Sequence, residues 1–164
     1  TNIIRFCKRP FSNINEMNEV LIERWNKKVL SDDTVYVVGD FAWDNPKKYL
    51  DRLKGNIILI AGGHDYRNWR SFQYFRKVER TENIYIDGVP VILSHYCFRV
   101  WDKMHYNSWH LFGHSHGKLE PIGKSWDVGV DNNNYDLLSE EDIVRIMKER
   151  PDNPNLIGDR FKRR

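Results

Sequence analysis

The chain has 164 residues, enough for one domain with a sizeable core, and its 40% hydrophobic and 30% charged content is an ordinary globular balance with nothing that demands disorder. A formal net charge of +3 is mild for a dedicated nucleic-acid binder, which usually shows a basic stripe; the tail residues Arg160, Lys162, Arg163 and Arg164 come nearest and read as a solvated end. No apolar run approaches the roughly 18–20 residues that cross a bilayer, and no charged-then-apolar leader is visible.

Residues Ser12–Leu30 carry Ile14, Met17, Leu21, Trp25 and Val29 at spacings of three and four, the stripe of an amphipathic helix capped by Ser12 or Asn13. Val35–Val38 is β-branched and apolar and reads as a buried strand. Asn45-Pro46 begins a short helix to Leu53 that Gly55 stops. Asn56–Ala61 is the next buried strand, and the strand–helix–strand order predicts a parallel pair joined by a crossover. A helical turn is expected over Trp69–Phe75.

Asn83–Ile86 and Val89–Leu93 flank Asp87-Gly88, a two-residue hairpin signal. Trp109–Gly113 and Ser125–Val130 read as further strands, so the second half is expected to be antiparallel. Ser139-Glu140-Glu141-Asp142 opens a last helix, with Ile143, Ile146 and Met147 on its apolar face. Residues 1–150 then form one domain, and 151–164, rich in Pro and Asn at their start, a loosely held extension. The fold class is α/β, a layered α/β/α or αββα sandwich of mixed sheets flanked by helices. Cys7 and Cys97 fit no metal or redox spacing, and two free thiols in a reducing cytoplasm are the expectation.

Four apolar runs end in Gly or Ser followed by Asp or His: Val35–Val38 before Gly39-Asp40, Ile57–Ile60 before Gly62-Gly63-His64-Asp65, Val91–Leu93 before Ser94-His95, and Leu111-Phe112 before Gly113-His114-Ser115-His116. Strand termini need only turn residues at such places, so packing alone does not account for all four. Open α/β sheets carry their sites at strand ends. In an extended segment His114 and His116 would share one face. Taken singly, a histidine at a strand end is more often a satisfied surface or core residue, and Asp40 or Asp65 a turn residue. His105 and His110 match no motif and read as structural.

In order and spacing these four motifs resemble those of the calcineurin-like metallophosphoesterases, over nearly the whole chain. Asn2-Ile3-Ile4-Arg5-Phe6 and Asp127-Val128-Gly129-Val130-Asp131 are similar to a small prokaryotic or phage-type branch. The resemblance implies a metallophosphoesterase-like sandwich and a dinuclear site for two divalent ions (manganese first, with iron, zinc or nickel as alternatives). Such ions clamp phosphoryl oxygens and acidify a water between them, giving a hydroxide that attacks phosphorus. It also implies that His95 and His114 serve one metal, His116 the other and Asp40 both. His64 would protonate the leaving oxygen or steady the phosphate, with Asp65 holding its ring. The substrate would be a phosphomonoester or phosphodiester, a small nucleotide included, with no membrane partner and a cytoplasmic location.

Two departures qualify this. The family's Asp-x-His motif would lie immediately before Thr1, and because the chain does not begin with Met the expectation is that more sequence precedes it. The family also has Gly-Asn-His-Asp where this chain has Gly62-Gly63-His64-Asp65, so Gly63 lacks a carbonyl for the second metal. Weak metal binding and poor hydrolysis follow as expectations, as does a second reading: a non-catalytic binding or regulatory relative. A nucleic-acid module built on the basic tail is the third. Trp43, Trp69, Trp101 and Trp109 lie near the motif loops; core or rim packing is the expectation, against walling a substrate pocket or stacking on a base.

Overall fold

The computed structural model describes residues 2–157; the upstream expectation at Thr1 and the basic tail lie outside the described residues. The chain opens with α1 (Asn2–Phe6) and α2 (Ile14–Lys28). The Asn13 side chain caps α2 by accepting the Glu16 N–H, and the Glu16 carboxylate accepts the Ser12 N–H. The helix stops short of Leu30 because the Asp33 carboxylate takes the Leu30 N–H into a turn. Met17, Ile22 and Trp25 form its buried face.

β1 (Thr34–Val37), β2 (Asn56–Ile60) and β3 (Lys77–Glu79) form a parallel sheet in that order. The helix expected over Pro46–Leu53 is the single turn α3 (Lys47–Leu50), started by the Asn45 side chain accepting the Lys47 N–H. The turn expected at Trp69–Phe75 is the end of a longer 3-10 segment, Asp65–Tyr74, kinked at Asn68.

The second sheet orders β4 (Thr81–Ile86), β5 (Val89–Ser94), β6 (Trp109–Phe112) and β7 (Ser125–Asp127) side by side. Only the β4–β5 hairpin is antiparallel, turning at Asp87 and Gly88, both with positive φ. The expectation of antiparallel strands throughout this half is therefore corrected: β5, β6 and β7 are parallel. Residues 95–108 and 113–124 are long enough to return the chain across the sheet, which a parallel ladder requires. The last strand also ends at Asp127, not Val130.

Period-two alternation sorts the core. Ile58 and Ile60 face Val91, Leu93, Trp109 and Leu111 of the other sheet, with Ile143 and Met147 of α4 (Glu140–Glu149) closing that cluster. Ile57 and Leu59 point the other way, onto Trp25, Val29 and Phe75. Ile92, between Val91 and Leu93, packs outward on Trp101 and Met104. The molecule is thus a mixed α/β protein, two sheets flanked by helices. Within the described part of the extension expected to be loosely held after Pro151, residues 151–157, Asn153 is buried, donates to the Met104 and Ser108 carbonyls and accepts the Lys124 N–H.

Candidate metal centre

The four motif loops meet at one edge because β1, β2, β5 and β6 all run toward it. The Val38 carbonyl joins the two sheets there by accepting from His95 Nδ1 at 2.9 Å. Gly39, φ +82°, is obligatory: a Cβ on it would lie 2.2 Å from His95 Nδ1. A Cβ on Gly62 would lie 2.5 Å from an Asp40 oxygen, so the imidazole and the carboxylate fit only against bare backbone.

Asp40, His95 and His114 present ligand atoms that all lie within 4.8 Å of one another. His95 is buried, and its Nε2 is 3.3 Å from Asp40 Oδ2 and 3.2 Å from His114 Nδ1. A carbonyl can only accept, so His95 Nδ1 carries a proton and Nε2 is turned to the cluster. Burial works against charge on His95, but the hydrogen bond to Asp40 and the Val38 carbonyl raise its pKa above the usual imidazole value. Burial likewise opposes the Asp40 charge, yet His95 and the His64 N–H hold the carboxyl below its ordinary value. His114 is shifted down, by burial and then by the His95 charge, toward the neutral form that ligates. Two imidazole nitrogens and a carboxylate converging this way suit a borderline divalent cation.

His64 donates its backbone N–H to Asp40 Oδ1 at 3.0 Å, while its ring Nε2 stays 3.9 Å from Asp40 Oδ2. Its Nδ1 is buried without a partner, and the Trp43 indole lies against the ring with centroids 4.4 Å apart. Asp65 does not hold that ring, contrary to expectation. Its carboxylate is used up on main-chain donors: the N–H groups of Asp40 (2.7 Å), Gly62 (2.8 Å) and Phe41 (3.0 Å). Burial pushes the Asp65 carboxyl up in spite of these bonds. Asp65 thus ties the β1 loop to the β2 loop and acts on the site through its backbone.

The expectation that His114 and His116 share a face is also corrected. β6 ends at Phe112, and both histidines have positive φ, +64° and +50°, so the chain coils and does not extend. His116 joins a second group with Asp131 and Cys7. Its Nδ1 is 2.7 Å from Asp131 Oδ2, and Arg9 donates to both Asp131 oxygens, from Nε at 2.7 Å and Nη2 at 2.6 Å. Burial opposes the Asp131 charge, and the Arg9 and His116 hydrogen bonds outweigh it, lowering the carboxyl pKa. Burial and the Asp131 charge push the Cys7 thiol up, which disfavours the thiolate a metal needs.

Sequence reasoning gave no role to Arg9, Asp127 or Tyr96. Asp127 is buried and accepts from Ser115 Oγ (2.7 Å), the Gly117 N–H (2.9 Å) and the Gly129 N–H (2.8 Å), clasping the histidine turn. Its signal was the Asp127-x-Gly129 pattern, a side chain folding onto its own backbone. The Tyr96 ring sits 4.8 Å from His95 and 4.7 Å from His114 by centroids. A Cβ built on Gly63 would fall 2.9 Å from the Tyr96 hydroxyl, so that phenol covers the position where the asparagine of the resemblance would begin.

His110 is structural as expected: it is fully buried, donates from Nδ1 to the Ile92 carbonyl and accepts the Phe98 N–H on Nε2. Burial lowers its pKa and keeps it neutral. A concavity of about 650 Å³ is lined by Ile86, Glu140, Val144 and their neighbours, and none of the candidate residues borders it.

No family model matches the chain. The fold recurs in the crystal structure of AQ665, a protein of unknown function from Aquifex aeolicus, with a TM-score of 0.68 and 22% identity over 88% of this chain and 91% of that one. The uncharacterized protein MJ1445 of Methanocaldococcus jannaschii is 32% identical, with 90% of this chain and 85% of that protein covered. The chain belongs to the family of MJ1445. Among the described residues no helix is long and apolar enough to cross a membrane.

Proposed function

We propose that the protein is a metal-dependent phosphoesterase with a metallophosphoesterase-like sandwich, acting on a phosphomonoester or phosphodiester. The convergence of Asp40, His95 and His114 from three separate loops carries this reading. Buried charged groups are either paired or coordinate metals, and a carboxylate with two imidazoles is a donor set that a divalent cation can share. Divalent ions held there and at His116 would draw charge from phosphoryl oxygens and lower the pKa of an attacking water. The resemblance puts manganese first; the imidazole donors also suit iron, zinc or nickel.

The remaining work falls to the chain. His95, with Nδ1 fixed on the Val38 carbonyl, keeps Nε2 aimed inward. Asp131, held by Arg9, does the same for His116 by engaging Nδ1 and leaving Nε2. His64, its Nε2 3.9 Å from Asp40 Oδ2, would give a proton to a departing oxygen. A cytoplasmic location belongs to this reading and agrees with the free thiols Cys7 and Cys97.

Hydrolysis of an aryl phosphodiester with and without manganese tests it. Manganese-dependent turnover that His114→Ala and His64→Ala each abolish is the expected result; the absence of turnover at any manganese concentration would overturn it. One observation favours a binding or regulatory protein instead, the Tyr96 hydroxyl over Gly63. Manganese binding by calorimetry without turnover would decide for that alternative.

A further inference from the structure

Of the four tryptophans expected to pack in the core or at its rim, Trp101 and Trp109 lie in the core, 5% and 8% exposed. Trp43 and Trp69 stand at the surface, exposed by 72% and 60%, beside Tyr66, exposed by 38%. Each of these rings carries a guanidinium: Arg67 lies 5.3 Å from the Trp43 centroid, Arg70 5.3 Å from Trp69 and Arg80 5.1 Å from Tyr66. Trp43 also links the array to the candidate centre, its ring centroid 4.4 Å from that of His64.

The charge on this face is unbalanced. Nearby Lys47, Lys48 and Lys77 are neutralised by Asp51, Asp44 and Glu82. Arg67 and Arg70 make no ion pair among the described residues, and residues 66–80 hold five Arg and Lys against the single acid Glu79. A protein partner would also use Trp, Tyr and Arg at its contact, but it would have to bring acidic side chains to match the uncompensated Arg67 and Arg70. Duplex nucleic acid keeps its bases stacked inside and offers nothing to an exposed indole. Exposed rings alternating with arginines match a single strand, whose bases present π-faces and whose phosphates present charge.

We propose that this face binds single-stranded nucleic acid, with bases stacked on Trp43 and Trp69 and phosphates on Arg67 and Arg70, leading a phosphodiester past His64. The strand-binding half stands on the surface itself; delivery to a reaction rests on the phosphoesterase reading above. The test is fluorescence anisotropy of a labelled oligothymidine against the full chain without metal, in the parent and in His114→Ala. Trp43→Ala and Trp69→Ala are each expected to weaken binding about tenfold, with Trp43→Phe recovering part of the loss. Arg67→Ala and Arg70→Ala should each reduce the salt slope by about 0.7.

Both tryptophans are exposed, so a circular-dichroism melt should show these variants folded. Binding that survives His114→Ala but falls in the tryptophan variants supports the proposal even where no hydrolysis occurs. Parent-like binding by both tryptophan variants would overturn it, because charge elsewhere would then be holding the strand. Equal affinity for a hairpin duplex would overturn it too. So would self-association of the chain that Trp69→Ala abolishes while no oligonucleotide binds.

Discussion

The two histidines of one tripeptide end in two differently built places. His114 meets Asp40 and His95 in a cluster whose walls are glycine backbone. His116 meets Asp131 in a cluster whose wall is a side chain, the Arg9 guanidinium, drawn from the loop between α1 and α2. The first place is preorganised by the absence of atoms, the second by a charge pair between groups far apart in sequence. The first should therefore fail when something is added and the second when something is removed.

The largest effect should come from addition. Gly39→Ala puts a methyl against His95 and Gly62 at a residue with φ +82°, and we expect a loss of about 3 kcal/mol in a urea melt. Manganese binding at the Asp40 group should vanish with it, while the Arg9–Asp131 pair stays formed. Retention of parent affinity by a folded Gly39→Ala would show that His95 is not held by that wall. Next comes removal. The Arg9 and Asp131 side chains are only 9% and 6% exposed, so Arg9→Ala leaves a carboxylate without its bidentate partner. Because His116 still engages the carboxylate, a cost of about 2 kcal/mol is expected, with the His114 side of the site unchanged in a histidine NMR titration.

This contrast also explains what the sequence disclosed. Gly39-Asp40, Ser94-His95 and the histidine tripeptide could be read because strand ends place short-range motifs in order, and β1, β2, β5 and β6 deliver them to one edge. Arg9 could not, since nothing local in Arg9-Pro10 signals a partner at Asp131. Asp65 was misread for the converse reason: its adjacency to His64 suggested contact between side chains, whereas three nearby N–H groups claim it. The parallel run of β5, β6 and β7 was missed because the hairpin is the only local pairing signal in that half.

The Gly63 position sharpens the comparison on the His114 side. Tyr96 is half exposed and can swing away, but an asparagine at 63 must displace its hydroxyl to reach the cluster. Gly63→Asn alone is expected to strengthen manganese binding by only a few-fold, and the double variant with Tyr96→Ala by about tenfold, or about 1.4 kcal/mol. Calorimetry of the two variants checks this; identical affinities would mean that Tyr96 does not guard the position. The His116 group, walled by Arg9, should not respond to either change.

The smallest effect lies outside both places and calibrates them. Asp142 completes the capping box of α4, its carboxylate accepting the Ser139 N–H, and its pKa is lowered to about 2, first by that bond. A carboxyl lowered on folding stabilises the folded state above its unfolded value, and the benefit fades as pH falls through about 2. Asp142→Asn should cost about 1 kcal/mol or less at neutral pH, the group being partly solvated, and the gap to the parent should close between pH of about 4 and 2. Manganese binding should not change in this variant. If it did, losses of global stability would reach the site indirectly, and the Gly39 and Arg9 results would no longer distinguish a wall of backbone from a wall of charge.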